Sequence, residues 1–342
     1  MRPSPTVSVV IPCYNEENTI SLLLESLAEQ TYPADQFEVV IADGMSEDRT
    51  RIEIAVFTEN HPDLTVRVVD NRKRTIPAAL NVGISTAQGE YIVRLDAHSV
   101  PHPEYISRSI ADLQAGVGDN VGGVWQIAPG GKGWMAESIA AASAHRLGVG
   151  DAKYRYADTA GEADTVPFGG FRKALFEELG GFDESLETNE DYEFNTRIRM
   201  MGGKLWLDPE IQVKYFARPN LKELARQYWR YGYWKVKMLR RYPGSLRWRQ
   251  ALPPLFVSGL LILMIASIWI PAARMVLLLA VVLYILALVL SALDLVLQRR
   301  KLHLLYGVPL AIAVMHLSWG SAFLWSLLSM VFDRNTWHNE RE

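Results

Sequence analysis

Four carboxylates and one imidazole carry the chemical promise of this chain: Asp43, Asp96, the adjacent Glu190 and Asp191, and His98. Asp43 and Asp96 each follow an apolar run, Phe37–Ala42 and Tyr91–Leu95, and so stand at the ends of candidate strands. In Asp96-Ala97-His98 a carboxylate and an imidazole lie two residues apart and could share a divalent cation. Oxygen ligands alone suit Mg2+, whereas an added imidazole shifts preference towards Mn2+. Glu190 and Asp191 open a candidate helix running to Met201, where they read either as a proton-accepting pair or as acids complementing the helix dipole. Cations complete the set. Arg72 and Lys73 follow the third apolar run, and Arg230, within Gln227-Tyr-Trp-Arg-Tyr-Gly232, can grip phosphate oxygens bidentately.

Alternating patterns place these groups. Val7–Ile11 reads as a buried strand, and Glu16–Gln30 as an amphipathic helix with Ile20, Leu23, Leu24 and Leu27 on one side. Phe37–Ala42, Leu64–Val69 and Tyr91–Leu95 are further strands, with helical patterns at 48–60 and 77–87 between them. Strands spaced by helices imply a mostly parallel, Rossmann-like α/β sheet covered on both faces. Ligands of such sheets sit beyond the carboxyl ends of the strands. Pro12, Tyr14, Glu16, Asp43, Asn71 to Arg74, Asp96 and His98 all fall there. No Gly-x-Gly-x-x-Gly follows the first strand and there is no Gly-Lys-Ser/Thr phosphate loop, which argues against a dinucleotide dehydrogenase or a P-loop NTPase. The Gly-, Ala- and Ser-rich stretch 115–166 has no clear period; 129–133 reads as a loop and 148–166 as a mobile segment near the site.

The 49% hydrophobic content and net charge of −3 hide a split along the chain. Residues 250–273, 275–293 and 304–332 contain no Asp, Glu, Lys or Arg. Each meets the ~18–20 residues needed to cross a ~30 Å hydrocarbon core. The sequence therefore divides into a catalytic domain at 1–218, a basic aromatic interfacial helix at 219–249, a transmembrane region at 250–332 and a short tail at 333–342. The spans are expected at about 252–272, 275–297 and 305–331. A helical hairpin buried in a soluble core is the competing reading. Segment 220–250 carries nine Lys or Arg and one acid, Glu223; the first loop offers Arg274, the second Arg299, Arg300 and Lys301. Basic loops prefer the cytoplasm, which puts the catalytic domain on the cytoplasmic face of the inner membrane. Basic and aromatic residues at 220–250 suit anionic headgroups, so membrane lipids are expected partners. Single-stranded nucleic acid would suit the same composition, but not its position before a span. His316 reads as a polar contact between helices or to a lipid acceptor. Cys13, the single cysteine, excludes an intrachain disulfide and reads as a small buried hydrophobe.

Val9-Val-Ile-Pro-Cys-Tyr-Asn-Glu16, Ala42-Asp-Gly-Met-Ser-Glu-Asp-Arg-Thr50 and Arg94-Leu-Asp-Ala-His98 resemble motifs of the family 2 glycosyltransferases. Gly169-Gly-Phe-Arg with Gly180-Gly-Phe-Asp, and Asn189-Glu-Asp-Tyr192, continue the resemblance in the family's order over about residues 6–240. With Gln227–Gly232 and three spans added, the chain looks most like the membrane-bound glucosyltransferases of succinoglycan-type exopolysaccharide synthesis. The resemblance implies the nucleotide-sugar-binding GT-A fold, with Pro12, Tyr14 and Glu16 in the nucleotide-binding first loop. It implies that Asp43 accepts from a uracil N–H, although Asp43 also reads as a helix cap before Ser46–Thr50. Arg72 or Lys73 contacts the diphosphate, or the loop is simply solvated, and Asn81 with Gly83 orients the 71–74 loop. Asp96 and His98 hold Mn2+ or Mg2+ where the family usually has Asp-x-Asp. A later His that members often carry near Val213–Phe216 as a further metal ligand is absent.

On the acceptor side the resemblance makes Asp191 the general base, with Glu190 beside it. Gly169 and Gly170 admit the sugar close to backbone, and Gln227 and Arg230 stand by the acceptor and leaving diphosphate. The implied reaction is inverting transfer of glucose from UDP-glucose to a lipid-diphosphate-linked oligosaccharide, alongside other polysaccharide-assembly proteins. Charging of a polyprenyl phosphate is the alternative. A processive synthase fits three spans poorly, and a non-catalytic membrane scaffold would explain the lost second Asp.

Overall fold

The structure is a computed structural model and describes residues 5–332; the expected tail at 333–342 lies outside the described residues. The chain forms two compact units. One comprises the stretch up to Gln126 with Ala152–Phe216; the other comprises Ile127–Asp151 with the chain from Ala217 onward.

In chain order the elements are β1 (Val7–Cys13), α1 (Ile20–Ala28), β2 (Phe37–Asp43), α2 (Thr50–Asn60), β3 (Thr65–Asp70), α3 (Ile76–Thr86), β4 (Tyr91–Arg94), β5 (Ser99–Pro101) and α4 (Tyr105–Ala115). There follow β6 (Asn120–Pro129), α5 (Trp134–Ala144), α6 (Arg146–Val149), β7 (Gly161–Glu162), β8 (Gly170–Arg172), α7 (Lys173–Leu179), α8 (Glu190–Met200) and β9 (Leu205–Ala217). The sheet order is β3-β2-β1-β4-β8-β6-β9-β5, with β7 beside β9. β1 to β4 pair in parallel, as expected. The far half differs from the mostly parallel expectation: β8 runs antiparallel to β4 and β6, and β5 and β7 run antiparallel to β9.

β1 and β2 are buried along their whole length, because helices cover both faces and alternate side chains enter opposite cores. Val9 and Val39 join Ile20, Leu23 and Leu27 of α1, while Val10 and Val40 join Leu80, Ile84, Phe171 and Phe194. Gly83 serves this second core rather than the 71–74 loop, since a Cβ there would lie 2.6 Å from Val10 Cγ1. The stretch 148–166, expected to be mobile, is tied down: β7 pairs with β9, and Arg155 lies 5.1 Å from the Trp125 ring centre.

The second unit contains α5 and α6, then α9 (Leu221–Arg241), α10 (Trp248–Ala266), α11 (Pro271–Arg299) and α12 (Leu304–Phe332). Residues 127–151 were expected in the catalytic domain. Instead Ile139–Ala142 share one apolar cluster with Leu224 and Tyr228 of α9 and Ile312 and Met315 of α12. α10, α11 and α12 are long and apolar enough to cross a membrane. The first begins and ends earlier than the expected 252–272. α12 is the most enclosed, and the close approach needs glycine: a Cβ on Gly232 of α9 would strike the Trp319 carbonyl, and one on Gly320 would lie 2.5 Å from the Pro253 carbonyl oxygen. His316 is a contact between helices, its ring nitrogens facing Tyr284 Oη at 3.1 Å and the Leu147 carbonyl at 2.9 Å.

Candidate active site

The loops after β1, β2 and β3 are stitched side by side. Asn15 takes a left-handed φ of 54°, donates its N–H to Ser46 Oγ at 2.9 Å, and accepts from the Glu47 N–H at 2.9 Å. Glu16 N–H donates to Thr50 Oγ1 at 2.7 Å, Gly44 N–H to the Cys13 carbonyl at 2.7 Å, and Asn71 N–H to the Asp43 carbonyl at 2.8 Å. Pro12 is buried inside β1, whereas Tyr14 is exposed beside Arg74, whose guanidinium lies 5.4 Å from its ring centre. A Cβ at Gly44 would meet that Tyr14 ring at 3.1 Å, so only glycine fits under it comfortably. Burial first, then Asp43 and Glu16, push the Cys13 thiol far above its ordinary range, so it is not a nucleophile.

Asp43 is fully buried. Its oxygens accept from Ser46 N–H at 3.1 Å, from Ser46 Oγ, and from Arg51 Nε at 2.6 Å, while Arg51 Nη2 reaches Asp70 at 2.6 Å. Asp43 therefore caps the turn before α2 and also anchors a half-exposed arginine. Arg72 is exposed on the rim of a cleft of about 780 Å3 that Lys73, Asn81, Gly181 and Glu184 help to line. Lys73 pairs with Glu184. Asn81 reaches the 71–74 loop through Glu184, to which it donates at 3.0 Å and which Lys73 pairs with; it also accepts from Phe182 N–H at 2.8 Å and donates to the Phe182 carbonyl at 2.9 Å. It thereby fixes the Gly180-Gly181 turn, in which both glycines have positive φ.

Glu190 and Asp191 meet Asp96, just beyond β4, through a residue that the motif reading passed over. Arg94 is 2% exposed; its Nη2 lies 3.1 Å from Asp96 Oδ1 and 2.9 Å from Glu190 Oε1, and its Nη1 pairs with Asp191. Burial pulls the basicity of this guanidinium down, but Asp96 and Glu190 overcome that, and it titrates above its ordinary value. The one signal available was a charge inside the apolar run Tyr91–Leu95, because a buried cation must have partners. Asp191 sits in the first turn of α8 behind Asn189, whose φ of 73° turns the chain into the helix. Gly169, at φ 87°, accepts from Arg94 N–H at 2.9 Å; a Cβ there would lie 2.5 Å from Asn120 Oδ1, whereas one at Gly170 would make only ordinary contacts.

His98 Nδ1 faces Glu16 Oε1 at 2.9 Å, so Glu16 and His98 form one pair beside the end of β4. Among the described residues no three His, Cys, Asp or Glu side chains are grouped tightly enough to hold a metal ion on their own. Asp96 is nevertheless a partly exposed carboxylate with one oxygen on Arg94. That donor set fits a cation bound through one or two protein groups and completed by substrate phosphates and water. Gln227 and Arg230 belong to the second unit, on α9, where Gln227 Nε2 donates to Tyr231 Oη at 3.0 Å and Arg230 is exposed.

Residues 8–180 match the family model described as Glycosyl transferase family 2. The chain is 34% identical over 249 residues to the succinoglycan biosynthesis protein ExoA of Rhizobium meliloti (strain 1021), an alignment covering 72% of this chain and 73% of that protein. It is 28% identical over 320 residues, 91% of this chain and 93% of the relative, to the dolichyl N-acetyl-alpha-D-glucosaminyl phosphate 3-beta-D-2,3-diacetamido-2,3-dideoxy-beta-D-glucuronosyltransferase of Methanococcus voltae. Among solved structures it is similar to the mannosyltransferase PcManGT from Pyrobaculum calidifontis in complex with GDP-Man and Mn2+. That likeness has a TM-score of 0.64 at 20% identity, covers 97% of this chain and 89% of that one, and is one of fold.

Proposed function

Because the chain belongs to glycosyl transferase family 2, we propose that it is an inverting, metal-assisted hexosyltransferase that moves one sugar from a nucleoside diphosphate onto a lipid-linked saccharide. The observation that carries this reading is the convergence of Asp96, Glu190 and Asp191 on Arg94, which brings a β4-end carboxylate together with acids of a distant helix. Asp191 takes the proton from the acceptor hydroxyl as that oxygen attacks the anomeric carbon. The bond to the diphosphate breaks on the opposite side, and an α-linked donor yields a β linkage. Asp96, with His98 beside it, would hold Mn2+ or Mg2+, and the cation would neutralise charge gathering on the leaving diphosphate. Tyr14, Glu16 and the Asp43–Arg51 pair frame the nucleotide, Arg72 meets its phosphates, and Gly169 and Gly170 admit the sugar. Gln227 and Arg230 attend the acceptor.

UDP-glucose as donor is what the motif resemblance to the succinoglycan-type glucosyltransferases implies; a polyprenyl-linked acceptor is supported by the dolichyl phosphate in the Methanococcus relative's name. The three apolar helices and the basic α9 support action at the cytoplasmic leaflet of the inner membrane. Direct charging of a polyprenyl phosphate is the second reading, and the product tells the two apart. The test is nucleoside diphosphate release by the full chain in lipid nanodiscs, with UDP- and GDP-sugars, Mn2+, Mg2+ or EDTA, and a membrane lipid extract as acceptor. Release with one donor, abolished by EDTA and by Asp96→Ala, is expected. Silence with every donor, or full activity in Asp96→Ala, overturns the reading.

A further inference from the structure

Arg94 has no part in the chemistry assigned above, yet it touches both ends of it. Its Nη atoms carry the three ion pairs, and its Nε is buried with no hydrogen-bond partner, so the group is held from its forked end. Its planar guanidinium fixes the separation and direction of its two Nη atoms. Asp96, on one Nη, and Asp191, on the other, are therefore set against each other by the geometry of a single rigid group. Backbone holds that group from behind, through the Arg94 N–H on the Gly169 carbonyl, and the Phe168 ring lies 5.8 Å from its carbon centre.

Resting on the assignment of Asp96 to the donor and Asp191 to the base, we propose that Arg94 is the positioning residue that aligns the two. On this view the transfer step depends on Arg94, and nucleotide binding does not. One buried cation shared among three carboxyl groups, two of them partly exposed, cannot answer each in full, so its worth lies in direction as well as in charge. Misplacing a reacting group by about 1 Å can cost about 10²-fold in rate. Arg94→Lys separates the two contributions: it keeps the positive charge but cannot span the carboxylates as a rigid fork.

The test measures kcat, donor KM and nucleoside diphosphate affinity for the full chain in nanodiscs. Wild type, Arg94→Lys, Asp191→Asn and the double variant are compared. Arg94→Lys is expected to lower kcat by about 10²-fold while donor KM and nucleotide affinity stay within about threefold. In the Asp191→Asn background it adds no further loss, because there is no longer a base to align. Wild-type kcat in Arg94→Lys, a loss that appears in KM or nucleotide affinity instead, or losses that multiply in the double variant would each overturn the proposal. If Arg94→Lys does not fold, Arg94→Met with Glu190→Gln keeps the net charge of the cluster. It is expected to bind nucleotide and lose turnover; wild-type turnover in it overturns the proposal. A wild-type chain silent with every donor overturns the transferase reading and this one together, whereas an active wild type with an unaffected Arg94→Lys overturns this one alone.

Discussion

Of the six described non-glycine residues with left-handed backbone, five lie in the first unit: Asn15, Met45, Arg74, Phe168 and Asn189. All five sit in loops around the candidate site. In the second unit the tight places are different: Gly232, Gly307 and Gly320 each lie where any side chain would strike a neighbouring helix or the residues on it. The first unit accepts local backbone strain and holds it with polar lacing such as Asn15 to Ser46 and Glu47, Asn81 to Phe182, and Arg94 to three acids. The second has one such residue, Arg300 at the end of α11, and packs helices at the limit of contact. Strain held in this way gathers where groups must be aimed; small residues gather where helix backbones approach closely. Substitutions in the first unit should therefore be read out in rate, and those in the second in stability.

Asp191→Asn is the largest expected break in one currency alone. Turnover should fall by about 10²–10⁴-fold, with melting temperature and nucleotide binding kept; a parallel fall in melting temperature would undo the contrast. Gly232→Leu is the converse. Overpacking against Trp319 should cost the second unit about 1–3 kcal/mol or more, seen as a lower unfolding midpoint in detergent titration while nucleotide still binds. A smaller effect belongs to Glu184. Lys73, then Asn81, hold its carboxyl below the ordinary value of 4.5. A carboxyl depressed on folding adds stability that is fully present above its unfolded value and is lost as pH falls through the folded one. The advantage of wild type over Glu184→Gln should thus be about 0–1 kcal/mol at neutral pH and shrink below pH 4.5; an advantage unchanged by acid would remove the ion pair from the account. Smallest is Met45→Gly, where relief of the left-handed φ and the added freedom of the unfolded chain nearly cancel, within about 0.5 kcal/mol. A shift of several degrees in melting would show that the β2 loop stores more strain than its neighbours.

The parallel half of the sheet was open to reading because each of its strands is an apolar run flanked by a helical pattern. Val7–Ile11 and Tyr91–Leu95 differ from β1 and β4 only at their ends. The antiparallel half was not, since β5, β7 and β8 have two or three residues each and show no period. Carboxylates at strand ends announced themselves by position, as did the acids opening α8. What each one binds did not: Asp43 meets Arg51 eight positions on, and Arg94 meets Glu190 and Asp191 from the far side of the chain. α5 was illegible for a further reason. Its Ala-rich surface looks neutral, and only the helices it packs on make it part of the second unit.

That placement has a consequence in time. β6 and β9 each begin in one unit and end in the other, so the second unit is assembled from separated pieces of chain. At the ~5–20 residues per second of synthesis, α5 leaves the ribosome on the order of ten seconds before α12 exists to receive it. Through that interval Ile139 and its alanine neighbours have only Leu224 and Tyr228 of α9 to pack on, so the cluster is completed by the last helix made.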